Sequence, residues 1–281
     1  MSPKGKGDAP MAARKSNADS LQLISLQSGS NGNCYFVQAG GTRILVDAGI
    51  SGRQAETRLA RYGIDIRSCR ALFISHDHSD HARCMGVYHR KYGLPVYVTD
   101  ATLNHVARQY PDRAGIGDIR RFRAGTTVVL ETRDEPLHVH AIRTPHDGAD
   151  CVAFVFEYRD RRVGLLSDLG HVFPGLPELV LTLDGMLIES NYDPTMLAEG
   201  RYPPHLQDRI RGRGGHLSND EAADLVEEAV RHQRLQWVAL GHLSAENNSP
   251  VTALRTHRRR LPRSFPIAVA DRYGPSGAWE A

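Results

Sequence analysis

A dense cluster of metal-binding side chains constrains this chain more than any other feature. The apolar run Ala71–Ser75 that precedes it is typical of a buried strand. The six residues that follow are His76-Asp77-His78-Ser79-Asp80-His81. Because side chains two residues apart on an extended backbone lie on the same side, His76 and His78 can reach one ion. The sequence therefore predicts a metal site at the end of this strand.

This cluster offers more ligands than one four-coordinate metal can use. It holds three imidazoles and the Asp80 carboxylate within six residues, and a catalytic metal must also keep one position open for water. We therefore expect two metals, with further ligands elsewhere in the chain. The alternative is a histidine-rich surface loop, in a chain that contains 14 histidines. The strand, the spacing and the acidic partner together favour the metal site.

Composition is that of an ordinary globular protein. The chain has 281 residues, enough for one large core, and is 41% hydrophobic and 24% charged. The four cysteines form no CxxC pair, which favours a reducing compartment. No apolar run approaches membrane-spanning length, and residues 1–20 lack the apolar core of a signal peptide. We expect a cytoplasmic protein with a disordered tail over 1–20 and a single domain over 21–281.

The positive charge of this chain is carried mainly by arginine. Arginines cluster at 120–123, 209–213 and 258–263, whereas the whole chain contains four lysines. Guanidinium groups bind phosphate oxygens in pairs, so such clusters could contact nucleic acid. A genome that favours arginine over lysine on solvated surfaces is the simpler explanation for any one cluster.

Hydrophobic patterns predict strands and helices in alternation. The predicted strands are 21–27, 34–38, 42–46, 71–75, 95–99, 126–131, 137–143, 151–158, 162–167, 186–189, 235–240 and 266–270. Helices are predicted over 51–61, 101–109, 218–230 and 250–260. Gly40-Gly41 predicts a tight hairpin, and Ser51 with Gln54 predicts a capping box. Strands followed by helices in each half indicate an α/β fold with two sheets between helices.

Further candidate ligands stand at the ends of three other predicted strands. His146 follows the strand at 137–143, Asp168 follows 162–167, and His242 follows 235–240. A single histidine in such a position is usually structural. Together with the cluster at 76–81, however, these residues supply the ligands that a dinuclear site still lacks.

With these residues in place, the sequence resembles the metallo-β-lactamase superfamily over roughly residues 21–270. The resemblance implies an αββα four-layer sandwich that presents its ligands from loops at one edge. It implies two groups of metal ligands with a bridging carboxylate: His76, His78 and His146; Asp80, His81 and His242; and Asp168 between them. Asp47 would lie beneath the site and orient a ligand imidazole. Asp77 would lie in the loop or behind the ligands.

Four motifs narrow the resemblance to the YycJ/WalJ group. They are Ser28–Asn33, Glu189–Asp193, Gly215–Asn219 and His242–Asn248. Membership implies phosphodiester cleavage by a 5′-to-3′ exonuclease acting on DNA. For Ser28–Asn33, a tight turn between strands is a simpler interpretation than a phosphate cradle. No separate nucleic-acid-binding domain is evident, so DNA would contact the surface of the core itself.

The resemblance also implies a mechanism, in which two divalent ions, Zn²⁺ or Mn²⁺, activate water for attack on phosphorus. Asp80 would orient the nucleophile while binding metal. His216 would donate a proton to the leaving alkoxide, and Glu189 would orient His216. Ser218 and Asn219 would cap the following helix and also contact phosphate. The alternative for His216 is a loop histidine without a catalytic role.

Two other functions compete with the nuclease. A small-molecule hydrolase on the same fold would cleave a thioester, a lactone or a cyclic phosphodiester, and would need a narrow, apolar opening. A non-catalytic member would use the fold for protein contacts. The complete set of seven ligands argues against the second of these, because a binding module has no reason to keep them.

Overall fold

The computed structural model describes residues 20–110 and 115–281, so all of the predicted tail except Ser20 lies outside it. The strands are β1 (Gln22–Gln27), β2 (Cys34–Ala39), β3 (Thr42–Val46), β4 (Ala71–Phe73), β5 (Val96–Val98), β6 (Ile119–Arg121), β7 (Thr127–Leu130), β8 (Leu137–Arg143), β9 (Val152–Tyr158), β10 (Arg161–Leu166), β11 (Gly185–Glu189), β12 (Trp237–Gly241), β13 (Ile267–Val269) and β14 (Ser276–Glu280). The helices are α1 (Gly52–Ala60), α2 (Ser79–Ala82), α3 (Met85–Tyr92), α4 (Asp100–Gln109), α5 (Leu176–Val180), α6 (Pro194–Glu199), α7 (Pro204–Arg211), α8 (Asn219–Arg231) and α9 (Pro250–Arg258), with one 3₁₀ turn at Ile66–Ser68.

The two sheets repeat one topology. The first has the order β14-β1-β2-β3-β4-β5-β6 and the second β13-β12-β11-β10-β9-β8-β7. In each sheet the hairpin strands pair antiparallel, and the strands from β3 to β6 and from β10 to β13 pair parallel. Since parallel strands present their carboxyl ends at the same edge, the loops after them meet there.

Three hydrophobic layers fix the sandwich. Between the sheets, Phe73 stacks on Tyr97 with ring centroids 4.5 Å apart and meets Phe154 of the second sheet edge-on. A second layer lies between the first sheet and α1, α3 and α4. The third lies between the second sheet and α5, α8 and α9. The αββα arrangement is therefore confirmed.

Local sequence signals account for most of these elements. Ser51 with Gln54 and Ser218 with Glu221 both form complete capping boxes. Gly40 and Gly41 have φ of 53° and 78° at the β2–β3 turn, the left-handed values that a two-residue hairpin needs. The strand before the histidine cluster is shorter than predicted, ending at Phe73. Within the described ranges, no helix combines the length and apolar character needed to cross a membrane.

Candidate metal centre

The predicted ligands converge at the edge where the parallel strands end. The loop after β4 and helix α2 carry the first four, and the loops after β8, β10 and β12 carry the others. In each of four groups, the possible ligand atoms lie within 4.8 Å of one another. The groups are His76/His78/His146; Asp80/His81/His242; His76/His81/Asp168; and Asp168/Glu189/His216/His242. The fold thus joins all seven predicted ligands, with His216 and Glu189, in one cluster that could bind metal ions.

Three residues of this cluster or beside it adopt a left-handed backbone. The φ angles are 61° at Asp47, 56° at Asp168 and 50° at His242. Each residue follows a strand, so the turn redirects its side chain from the sheet into the site. Aspartate and histidine tolerate this conformation better than most residues, but it still costs about 1–3 kcal/mol each. Surrounding contacts must hold these residues in place.

Asp47 anchors the first half of the cluster. Its carboxylate accepts hydrogen bonds from His81 Nδ1 at 2.7 Å, from Ser75 N at 2.8 Å and from Ser75 Oγ at 3.0 Å. The His81 ring is thereby turned so that Nε2 lies 3.2 Å from Asp168 Oδ2 and 3.5 Å from Asp80 Oδ2. His76 Nδ1 lies 2.9 Å from Ser75 Oγ, which leaves His76 Nε2 facing the cluster.

The other imidazoles also keep a nitrogen for the cluster. His146 Nδ1 donates to the Gly215 carbonyl at 2.8 Å, so Nε2 lies 3.3 Å from His78 Nδ1 and 3.6 Å from Asp168 Oδ1. His76 Nε2 and both ring nitrogens of His242 are buried without a hydrogen-bond partner among the described residues. Buried polar atoms rarely stay unpaired, and unpaired imidazole nitrogens beside carboxylates suit a divalent cation.

The charges of the cluster are balanced between carboxylates and imidazoles. Burial lowers the pKa of His76 and of His146, which favours the neutral form that binds metal. Burial opposes ionisation of Asp168, but His242, His81 and His146 hold its pKa well below the usual range. Burial likewise opposes the charge on His81, yet Asp168, Asp47 and Asp80 raise its pKa to about 9. The carboxylates thus draw positive charge into the site.

Glu189 anchors the second half. This last residue of β11 is fully buried, and its carboxylate accepts backbone N–H groups of Asp168 at 3.1 Å, Leu169 at 3.0 Å and Leu217 at 3.0 Å. It also accepts from His216 Nδ1 at 3.2 Å. Burial opposes its ionisation, but the hydrogen bond from His216 and the nearby His242 imidazole lower its pKa to about 2. One carboxylate therefore holds two loops and one imidazole.

The predicted proton donor lies inside the cluster. The His216 ring centroid is 4.9 Å from that of His146 and 5.2 Å from that of His242. Its Nδ1 is engaged by Glu189, and the side chain remains 20% exposed. The ring thus lies beside two candidate ligand imidazoles and is partly open to solvent, and its role as a proton donor stays a prediction.

Ser218 and Asn219 make contacts within the protein. The Ser218 hydroxyl donates to Glu221 Oε2 at 2.7 Å, and Asn219 is fully buried. The Asn219 side chain bonds to Ser190 Oγ at 2.6 Å and to Asn248 at 2.8 Å. Both side chains thus support the start of α8, and their contact with phosphate stays a prediction.

Sequence reasoning did not single out Asn33. Its Nδ2 lies 2.9 Å from His81 Nε2 and 3.1 Å from Asp80 Oδ2, and the residue is fully buried. The motif Ser28–Asn33 contained the signal, but a tight turn was the simpler interpretation of it. Asp77 accepts from Ala149 N at 2.7 Å and lies 3.3 Å from His105, which makes it a loop residue.

Of the arginine clusters, the one at 209–213 adjoins the site. Arg209 Nε is 2.7 Å from Asp147 Oδ2, and Asp147 Oδ1 is 3.4 Å from His78 Nε2. In the other clusters, Arg121 pairs with Asp100 at 2.6 Å, and Arg260 pairs with Asp220 and Asp224. Of the three clusters, the one at 209–213 is therefore the one whose position indicates a role at the opening of the site.

A family model described as the metallo-beta-lactamase superfamily matches residues 28–231. The chain belongs to this superfamily. Over 239 residues it is 31% identical to the exodeoxyribonuclease YycJ of Bacillus anthracis, covering 81% of this chain and 84% of the relative. Over 240 residues it is 33% identical to the exodeoxyribonuclease WalJ of Streptococcus pneumoniae, covering 85% and 87%. Within the superfamily it therefore belongs to the YycJ/WalJ group.

Solved structures of other superfamily members share the fold. The metallo-beta-lactamase fold protein YhfI from Bacillus subtilis superposes with a TM-score of 0.67 at 17% identity, covering 94% of this chain and all of that one. The short form of human tRNase Z gives a TM-score of 0.63 at 15% identity, covering 92% and 99%. At such low identity, these likenesses concern the fold alone.

Proposed function

We propose that this protein is a metal-dependent exodeoxyribonuclease that degrades DNA from the 5′ end toward the 3′ end. The observation that carries the proposal is the convergence of seven metal-ligand side chains with the His216–Glu189 pair in one cluster. The curated relatives YycJ and WalJ, each matching over most of its length, are named exodeoxyribonucleases. We propose the same substrate here.

Two ions fit the donor set. We assign His76, His78 and His146 to one ion, and Asp80, His81 and His242 to the other. Asp168 would bridge them, because its Oδ1 lies 3.6 Å from His146 of the first set and its Oδ2 lies 3.2 Å from His81 of the second. Imidazole nitrogens with carboxylate oxygens suit Zn²⁺ or Mn²⁺. Asp47 would hold the His81 ring in its ligand orientation through Nδ1, which leaves Nε2 for the ion.

The protein groups around the ions would each have a defined role. Divalent ions in such a site lower the pKa of water toward neutrality and offset charge on the scissile phosphate. Asp80 would orient the attacking water. Glu189 holds His216 Nδ1, so His216 Nε2 can carry the proton that the leaving alkoxide needs. We propose that Ser218 and Asn219 act mainly by fixing the His216 loop, since a phosphate contact would compete with their present bonds.

The opening of the site favours an extended phosphodiester over a small molecule. A small-molecule hydrolase would need a narrow, apolar entrance, whereas Arg209, Arg211 and Arg213 are exposed beside this one. Arginine at an opening binds phosphates along a strand. A DNA substrate also agrees with the cytoplasmic location that we predict from the sequence.

The test is cleavage of DNA labelled at one end. Chelated protein is incubated with 5′-labelled and 3′-labelled duplexes, with and without Mn²⁺ or Zn²⁺, and the products are resolved by length. We expect metal-dependent release of the 5′ label as mononucleotides while the 3′ label stays on long products. If the protein hydrolyses a chromogenic phosphodiester or a thioester but leaves DNA intact, the proposed nuclease function is wrong and the small-molecule hydrolase takes its place.

A further inference from the structure

An open hollow of ≈ 280 Å³ lies beside α1, among residues that contribute nothing to the metal centre. Arg53, Arg58 and Arg61 line one side of it, and Tyr273 lines the other. Arg53 lies in the first turn of α1, and Arg61 is the residue that follows its last turn. None of the described residues that line the hollow is acidic.

The two outer arginines of the hollow have free guanidinium groups. Arg53 and Arg61 are exposed, and neither pairs with a carboxylate anywhere in residues 20–110 or 115–281. Nearby Arg67 and Lys91, in contrast, both pair with Glu56. Unpaired arginines that line one hollow are free to bind the phosphates of a nucleic acid strand.

Tyr273 presents an exposed ring from an anchored backbone. The residue is 73% exposed, yet its backbone is fixed: its N–H donates to Asp271 Oδ1 at 2.6 Å, and its carbonyl accepts from Arg58 Nη2 at 2.7 Å. The Arg58 side chain also binds the Leu26 carbonyl at 3.2 Å, which ties the loop to β1. An exposed aromatic ring beside arginines is a combination that binds single-stranded DNA, since bases stack on the ring.

The hollow is linked to the metal centre by one side chain. Arg272, next to Tyr273, donates from Nη1 to the Leu243 carbonyl at 2.7 Å and from Nη2 to Ser30 Oγ at 2.7 Å. Leu243 follows the predicted ligand His242 directly in the chain. A strand held in the metal centre could therefore reach the hollow within a few nucleotides.

We propose that this hollow binds a single-stranded segment of the DNA substrate, with a base stacked on Tyr273 and phosphates on Arg53 and Arg61. The inference rests on the proposed nuclease function. Enclosed pockets for small molecules measure roughly 300–1,000 Å³. An open hollow just below that range suits one unit of a chain that continues on both sides.

The experiment measures binding apart from cleavage. Fluorescence anisotropy in the presence of a chelator, which prevents metal-dependent cleavage, gives the affinity of the protein for a labelled 15-nucleotide oligothymidylate over a range of salt concentrations. The variants are Tyr273→Ala, Tyr273→Phe and Arg53→Ala/Arg61→Ala. The matched control, Arg255→Ala/Arg259→Ala, removes one exposed arginine of α9 and the exposed arginine directly after it, on the opposite outer layer. Hydrolysis of a chromogenic phosphodiester shows that each variant keeps its metal centre.

We expect Tyr273→Ala to weaken binding by about 5- to 150-fold, as loss of one stacked base does, and Tyr273→Phe to stay near wild type. The Arg53→Ala/Arg61→Ala variant should reduce the steepness of log affinity against log salt by about 1.4, because each lost phosphate contact accounts for about 0.7. The control variant should change neither the affinity nor its salt dependence.

If wild type cleaves DNA but the variants of the hollow bind the oligonucleotide like wild type, the inference is wrong and the proposed nuclease function stands. If the variants lose binding but wild type releases no nucleotide, the hollow stands and the nuclease is wrong. A wild type that does not bind the oligonucleotide overturns the inference.

Discussion

The loop after β4 and the strand ends of the second sheet build one cluster by different means. The first supplies four candidate ligands within six residues, His76 to His81, behind which Asp47 holds one ring. The second supplies His146, Asp168 and His242 from three separate loops. Glu189 binds the backbone of the Asp168 loop, and it also binds the backbone of the neighbouring loop that carries His216. A compact motif therefore needs little support, whereas dispersed ligands need a buried anchor.

Removing one ligand from each half should have the largest effect. His78→Ala and Asp168→Ala should each lower metal-dependent cleavage about 1,000-fold or more, because metals supply several kcal/mol of transition-state stabilisation. The two variants should differ in how much metal they bind. His78→Ala should lose one ion, whereas Asp168→Ala should bind both ions more weakly, because Asp168 is the proposed bridge. Mass spectrometry of the native protein counts the ions, and circular dichroism checks the fold. An Asp168→Ala protein that keeps two ions and full activity would refute the bridge.

The proton donor belongs to the second half and should be separable from metal binding. His216→Ala should slow DNA cleavage about 100-fold or more while both ions stay bound, since general acid catalysis contributes about 10²–10⁴-fold. Hydrolysis of bis(p-nitrophenyl) phosphate should change little, because its leaving group needs no proton. His205→Ala, an exposed histidine on α7, is the control. Loss of an ion would make His216 a ligand instead, and equal slowing on both substrates would exclude proton donation.

The two anchors should differ in their effect on stability. Glu189→Ala leaves the buried N–H groups of Asp168, Leu169 and Leu217 without their acceptor, at about 1–3 kcal/mol each, so we expect a loss of at least about 3 kcal/mol. Asp47→Ala leaves the Ser75 backbone N–H and the His81 imidazole without their acceptor, whereas the Ser75 hydroxyl still has His76 Nδ1 at 2.9 Å, so the loss should be about 2 kcal/mol. Urea unfolding in chelator measures both. The reverse order would contradict the comparison.

A buried histidine on α9, behind the second sheet, makes the stability of the fold depend on pH. His257 lies within 3.3 Å of Ser190 Oγ, and burial lowers its pKa to about 4. The unfolded chain, with a pKa near 6.5, binds the proton more readily, so stability falls as the pH drops from about 6.5 toward 4. Between pH 7 and pH 5 this amounts to about 2 kcal/mol. His257→Gln should remove that difference in urea unfolding; an unchanged pH dependence would assign it to other groups.

The same contrast explains what the sequence could predict. The His76–His81 cluster could be predicted from the sequence because its spacing alone places the ligands together. His146, Asp168 and His242 needed the predicted strand ends and the family resemblance, because only the order of the whole sheet brings their loops together. Strands β10, β11 and β12 pair parallel, and β8 ends at the same edge because it is two antiparallel pairings away from β10. The role of Asn33 depends on a hydrogen bond to a residue 48 positions away, which no local pattern encodes.

Short elements were the least predictable part of the fold. Strand β14 (Ser276–Glu280) was not predicted, because its period-two pattern is weak and its pairing with β1 is set by the whole sheet. Helices α5, α6 and α7 were also missed, since five to eight residues carry too little periodicity. The residues that these helices bring to the opening, Arg209 among them, could not be placed without the structure.

The central claim is that the two halves jointly hold two ions bridged by Asp168. Anomalous diffraction from crystals of the Mn²⁺- or Zn²⁺-loaded protein measures it directly. We expect two peaks, one beside His76, His78 and His146 and one beside Asp80, His81 and His242, with ligand distances of about 2.0–2.2 Å and an Asp168 oxygen on each. A single peak, or two peaks without Asp168 between them, would contradict this account.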